Sequence, residues 1–258
     1  MLDQARGSDY TIWVVAALLY VFDAAKLLAP REILLAEAAR GRMGALFSDN
    51  PFTITGRVVA FAPLLRPDRG VFVAPWTRRW IDATGLNATL ESVGRLRRAL
   101  RAPRVIAACG FLWLFLVGPV LTLSLGSGAA VVYTAALLYP TIAFAIVSLW
   151  WQRRHFGLGP ARTAWLSLEI LVCPAFLPNL VRKITAAWPV AVDGVQVLAA
   201  TADGDVKSDL LGRLERRAEE LMAESDDASE RDELSAYLLT VRAALTDAGS
   251  APGRPVAR

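Results

Sequence analysis

Four polar residues sit in or beside long apolar runs, where they are expensive to keep: Asp23, Glu169, Asn179 and His155. A carboxylate held in an apolar medium must be paired or protonated, and this makes it a natural proton or ion site. Asp23 occurs in TIWVVAALLYVFDAAKLLAP, residues 11–30. If that run is helical, Lys26 shares its face three residues on, and either Lys26 or a neighbouring helix answers its charge. Glu169 and Asn179 occur in LSLEILVCPAFLPNLVRKI, residues 166–184, with Pro174 and Pro178 between them. An interfacial arginine such as Arg162 or Arg182 would pair with Glu169. His155, the only histidine, follows an apolar run in WWQRRHFG. It would serve as a general base given a carboxylate from residues 31–104, and beside Arg153, Arg154 and Phe156 it equally fits an interfacial side chain. Two readings follow: a proton or ion path through Asp23 and Glu169, or helices packed through paired charges. Convergence of the four residues on one place separates the two.

Other chemistries lack their residues. The chain has neither Gly-x-Gly-x-x-Gly nor the lysine of a phosphate-binding loop, and the Gly126-Ser127-Gly128 turn is not a nucleophile elbow. Cys109 and Cys173 lie in apolar runs with no second cysteine or histidine at ligand spacing, so they read as buried filler. No cofactor and no metal are expected, the catalytic residues are unknown, and whether the protein is an enzyme is left open.

The elements that would carry these residues are membrane elements. The hydrophobic fraction is 55 % in 258 residues, with eight tryptophans, and the mean hydropathy is +0.40. Residues 105–152 contain no charged side chain. That is room for two spans joined at Gly126-Ser127-Gly128, a transmembrane helical hairpin over 105–151 with Gly118-Pro119 and Pro140 inside it. Residues 1–10 form a tail without the basic region of a signal peptide, so 11–30 reads as an uncleaved transmembrane helix. Residues 164–181 read as a re-entrant or interfacial helix, with a fourth span as the alternative. Between spans, 31–104 reads as a small α/β segment. REILLAEAARGRMGALF suggests a surface helix, FTITGRVVAF and GVFVAP suggest a β-hairpin through RPDRG, and 89–101 suggests an amphipathic helix. VAVDGVQVLAA suggests a short strand pair or loop. Residues 202–249 read as an amphipathic helical hairpin, its second helix capped by Ser229 with Asp232, and 250–258 as a disordered tail. The fold class is therefore mainly α and integral to a membrane, with a small α/β segment and a C-terminal helix pair.

Charge sets the orientation. The net charge of +4 hides a basic body, residues 1–201, and an acidic C-terminal part. Arg95, Arg97, Arg98, Arg101 and Arg104 flank one end of the hairpin and Arg153, Arg154 and Arg162 the other, while its turn is uncharged. Basic flanks stay cytoplasmic, so the turn faces out and 31–104 faces in. Keeping Arg182 and Lys183 inside as well makes 164–181 return and leaves the C-terminus cytoplasmic. Short arginine-rich loops and abundant alanine resemble a protein of a GC-rich bacterium, hence a multi-pass protein of the bacterial inner membrane. Its partners would be membrane lipids, with anionic head groups at the arginine clusters, and a second copy or another protein at the C-terminal helices; no nucleic acid is expected. The lack of catalytic motifs and the amphipathic C-terminal helices favour a non-enzymatic scaffold or interaction protein, with a membrane-embedded enzyme or oligomeric carrier using Asp23, Glu169 or His155 as the alternative.

Overall fold

The computed structural model describes residues 10–37, 43–46, 53–54, 57–77, 79–190, 192–201 and 204–249. The 1–10 tail, save Tyr10, and the 250–258 tail lie outside the described residues. The chain is mainly helical with a small sheet region. Helix α1 (Thr11–Ala24) runs directly into strand β1 (Ala25–Leu28). Strands β2 (Glu32–Glu37), β3 (Met43–Leu46), β4 (Thr53–Ile54), β5 (Arg57–Phe61) and β6 (Val71–Pro75) follow, then helix α2 (Ala83–Ala99). Helices α3 (Arg101–Leu125) and α4 (Ser127–Gln152) are long and apolar enough to cross a membrane. Helix α5 (Pro160–Val172), a 3₁₀ turn (Pro174–Asn179) and helix α6 (Leu180–Ala186) come next. Helices α7 (Gly194–Thr201), α8 (Gly204–Glu224) and α9 (Ala228–Gly249) complete the described chain.

Two antiparallel sheets lie at one end of the long helices, with strand orders β1-β5-β4 and β3-β2-β6. β1 pairs with β5 from Ala25 opposite Phe61 to Leu28 opposite Val58. β2 pairs with β6 from Glu32 opposite Pro75 to Ala36 opposite Val71. The strand character of 57–61 and 71–75 therefore holds, but the two do not pair with each other. Of the helix expected across 31–47, the described residues form strands at 32–37 and 43–46, and β2 and β3 pair antiparallel; residues 38–42 and 47 lie outside the described residues. β2 is buried on both faces. Leu34 and Ala36 pack with Leu28, Ala60 and Val71, and Ile33 and Leu35 pack into the main core with Phe72, Leu96, Leu100 and Ile184. A strand covered on both sides shows no polar alternation, and Ala, Leu and Glu favour helix locally, so burial overrides propensity here.

α3 contains a π turn at Trp113–Val117, immediately before Gly118-Pro119. Pro119 cannot donate to the turn before it, and a widened turn accommodates that loss. Gly118 lets α1 approach closely: a Cβ there would lie 2.3 Å from the Trp13 ring. Trp13 Nε1 then donates to Thr122 Oγ1 at 2.8 Å. Gly126, at φ 80°, makes the tight turn into α4.

At the other end of the chain, α8 and α9 pack against each other. Leu211, Leu214 and Ala218 are buried with Leu234, Tyr237, Leu238 and Val241. Asp227, not Ser229, caps α9: its Oδ1 accepts from Ser229 N at 2.9 Å. The pair is docked on the sheet end. The Tyr237 ring meets Trp76 at 6.0 Å, and Arg31 pairs with Glu230.

Candidate functional site

α1 is 14 residues long, about 21 Å at 1.5 Å per residue, and Asp23 lies in its last turn. The helix expected across 11–30 ends early, so Lys26 falls on β1 and not on a shared helix face with Asp23. Asp23 finds other partners. Asn179, at the end of the 3₁₀ turn, donates Nδ2 to Asp23 Oδ2 at 3.0 Å and to the Tyr20 carbonyl at 3.0 Å. Lys183 Nζ, one turn further in α6, lies 2.7 Å from Asp23 Oδ1.

The same ammonium reaches back to α5. Lys183 Nζ lies 2.6 Å from Glu169 Oε2, and Trp165 Nε1 donates to Glu169 Oε1. Phe176 lies beneath, its ring centre 4.6 Å from Nζ. α5 and α6 therefore fold back on each other about the proline-bearing turn. Cys173 has the extended backbone that a following proline favours, φ −125° and ψ 88°, and this ends α5. Pro174 and Pro178 sit within the turn itself.

Arg182 completes the cluster. It is 1 % exposed. Nη1 donates to Asn179 Oδ1 and to Tyr20 Oη at 3.1 Å. Nη2 donates to the main-chain oxygens of Pro63 and Arg66. Tyr20 Oη in turn donates to the Leu64 carbonyl. Asn179 is thus oriented by its neighbours: its oxygen meets the guanidinium and its nitrogen the carboxylate. The fully buried Asn179 joins α1, the 3₁₀ turn and α6 in a single side chain.

Three of the four residues singled out in the sequence, Asp23, Glu169 and Asn179, come together here. His155 does not: it is exposed in the turn after α4 and shares no hydrogen bond or ion pair with them among the described residues. Neither carboxylate takes the partner that sequence spacing suggested. Lys183, Tyr20 and Trp165 belong to the site and were not singled out; Arg182, considered as a partner for Glu169, instead meets Asn179, Tyr20 and main-chain oxygens. Lys183 and Arg182 read as a basic flank, the commonest role for such a pair after an apolar run, yet both are buried. Their spacing from Asn179, three and four residues on, was the available sign.

Two further buried charges stand outside this cluster. Glu37, at the end of β2, takes Arg97 and Arg104 on separate oxygens, each at 2.6 Å. It also accepts from Gly70 N at 3.0 Å. Arg97 and Arg104 therefore hold the sheet to α2 and to the start of α3. Asp193, 1 % exposed, caps α7 by accepting from Val195 N at 2.9 Å, so residues 194–201 form a helix and not a strand pair. It also accepts from Tyr237 Oη at 3.0 Å. Burial, then the Asp193 charge and its hydrogen bond, push the Tyr237 phenol well above its ordinary value.

Chemically, the Asp23–Lys183–Glu169 cluster is a closed ion triad. Each carboxylate oxygen has a donor and the ammonium spans both acids, a geometry that holds elements in place without leaving an open ligand position. Compared with protein-family models, with curated proteins and with solved structures, the chain matches none.

Proposed function

We propose that this chain is a multi-pass membrane protein of the bacterial inner membrane, acting as a non-enzymatic scaffold whose sheets and C-terminal helices form an interaction platform on the cytoplasmic side. The observation that carries this reading is the closed polar cluster. It ties α1, α5 and α6 together and seats α6 against β6, where Thr185 Oγ1 accepts from Val71 N at 2.8 Å. α1 and α3 to α5 turn apolar side chains outward, among them Phe22, Leu123, Phe144 and Val172, which fits a lipid surround. The sheets, α6 and the α8–α9 pair gather at the end of the helical hairpin that carries the arginines, which the charge rule makes cytoplasmic. On this reading α5 enters the bilayer and α6 returns, so the chain has three full spans and a re-entrant segment.

One observation favours the second reading, an oligomeric carrier or embedded enzyme: two carboxylates meet on one ammonium beside an apolar helix. The two readings separate in one set of experiments. A photoreactive residue placed at the exposed Leu239 of α9 should yield a discrete protein adduct in intact cells, and D23N/E169Q/K183M should leave that adduct unchanged. Proton flux into vesicles holding the purified protein, lost in D23N/E169Q, would overturn the scaffold reading in favour of a carrier.

A further inference from the structure

The two sheets pack on each other: Leu28 and Ala60 of the first lie against Leu34, Ala36 and Val71 of the second. Side chains alternate across a strand. The register of β1 with β5 therefore puts Ala25, Leu27, Val59 and Phe61 together on the opposite face, with Arg57 at its far end. A sheet with protein on one face and water on the other alternates apolar with polar residues. Here the outward face is apolar as well, and Leu27 and Phe61 are exposed on it.

The turn that leaves β5 continues this surface. Arg66 N donates to the Pro63 carbonyl at 3.1 Å, which puts Leu64 and Leu65 at the tip of a tight turn. Leu65 is 82 % exposed. The backbone around it is supplied from inside: Tyr20 Oη donates to the Leu64 carbonyl, and Arg182 Nη2 to the carbonyls of Pro63 and Arg66. Pro63 and Pro67 have no N–H to satisfy. Irregular backbone tolerates a medium poor in water only when its polar groups are met in this way.

Both features adjoin the end of α1. Phe61 lies opposite Ala25, the first residue after the helix, and Tyr20, one turn before that end, holds the Leu64 carbonyl. At about 21 Å, α1 is shorter than a hydrocarbon core of about 30 Å. Ser8 and Asp9 precede it, so the missing depth lies on the strand side. Phe22, exposed in the last turn, carries the apolar surface of α1 to the junction.

We infer that the outward face of β1 and β5 and the 63–66 turn rest on the bilayer, with Leu27, Phe61 and Leu65 in its interfacial layer. Seating to about 5–10 Å makes good the shortfall of α1. β1 is an edge strand, and its unpaired backbone groups keep the sheet at the hydrated head-group level. Arg57 and Arg66, exposed at the margins of the patch, suit anionic head groups. The inference rests on the membrane reading proposed above and adds to it a contact with lipid that does not span.

The test uses the full chain carrying C109A/C173A, one copy per nanodisc of phosphatidylethanolamine and phosphatidylglycerol. A nitroxide is attached at L27C, F61C or L65C. Its collisions with oxygen, which concentrates in lipid, are compared with those of a water-soluble nickel chelate. L123C on α3 is the lipid reference and R216C on α8 the water reference. The expected oxygen-to-nickel ratio at F61C and L65C is several-fold above that of R216C and below that of L123C. A ratio equal to that of R216C at either position, with L123C still lipid-like, would overturn the inference. So would a label shielded from both reagents, because protein would then cover the face. L27C decides in the same way if one of the other two variants does not fold. Should L123C itself behave as R216C does, the membrane reading fails and the inference falls with it.

Discussion

Lys183 bridges two carboxylates with one ammonium, so its loss is felt twice. In K183M, Asp23 and Glu169 face each other with no cation between them, inside a site where water screens little. Removing one member of a buried charge network costs about 3–5 kcal/mol, whereas removing the whole network together can be nearly neutral. Melting of the purified protein in detergent should therefore rank K183M well below wild type and D23N/E169Q/K183M close to it. A K183M melt equal to wild type would mean that the triad does not hold the fold. Asn179→Asp should also destabilise, because it brings a third carboxylate against Asp23 Oδ2. At this scale the sequence was half legible. The acids stand out because charges in apolar runs are rare, but their cation does not, since a lysine following an arginine after an apolar run has a commoner explanation at the membrane edge.

At the scale of elements, the tightest contact between α1 and α3 described above is the Trp13 ring on Gly118. Gly118→Ala places a methyl where the indole sits, and overpacking of this kind costs about 1–3 kcal/mol. The cost should shrink in W13L/G118A, where the smaller side chain leaves room. Additive losses in that double-mutant comparison would show that the two residues do not interact. The α8–α9 pair is held differently, by Tyr237 on Asp193. The folded-state phenol titrates above its unfolded value of about 10, because burial and the Asp193 charge disfavour phenolate. Its contribution is thus fully present below that pH and is lost as pH rises beyond it, where only the unfolded chain gains by ionising. Protease cleavage between α7 and α9 should accelerate above about pH 10, and Y237F should flatten that rise. Helices with one apolar face were readable from spacing alone, as α8 and α9 show. β2 was not, because both of its faces are covered and the pattern that distinguishes strand from helix needs one wet face. Pairing of β1 with β5 was equally hidden, since β1 was read as the last turn of an apolar helix.

For the whole molecule, the sheets, α6 and the C-terminal helices share one end of the α3–α4 hairpin, and Gly126 lies at the other. The proposed orientation gives a direct expectation. With Cys109 and Cys173 replaced, a cysteine at Ser127 should react with an impermeant thiol reagent in intact cells, and one at Arg97 should not. The reverse pattern would invert the entire arrangement. What composition made plain was the presence of two long apolar helices. What it left open was how the fourth apolar run ends, and the answer lies in contacts between residues far apart in the chain, which no local pattern encodes.

One of those contacts has a consequence for biosynthesis. Asn179 follows Asp23 by 156 residues. At about 5–20 residues per second, a ribosome needs roughly eight to thirty seconds to make that stretch. Throughout this interval the nascent α1 carries an acid whose final partners do not yet exist. Full seating of α1 must await the arrival of the later segment, so a chain stalled before Lys183 would present a carboxylate without its cation at the end of α1.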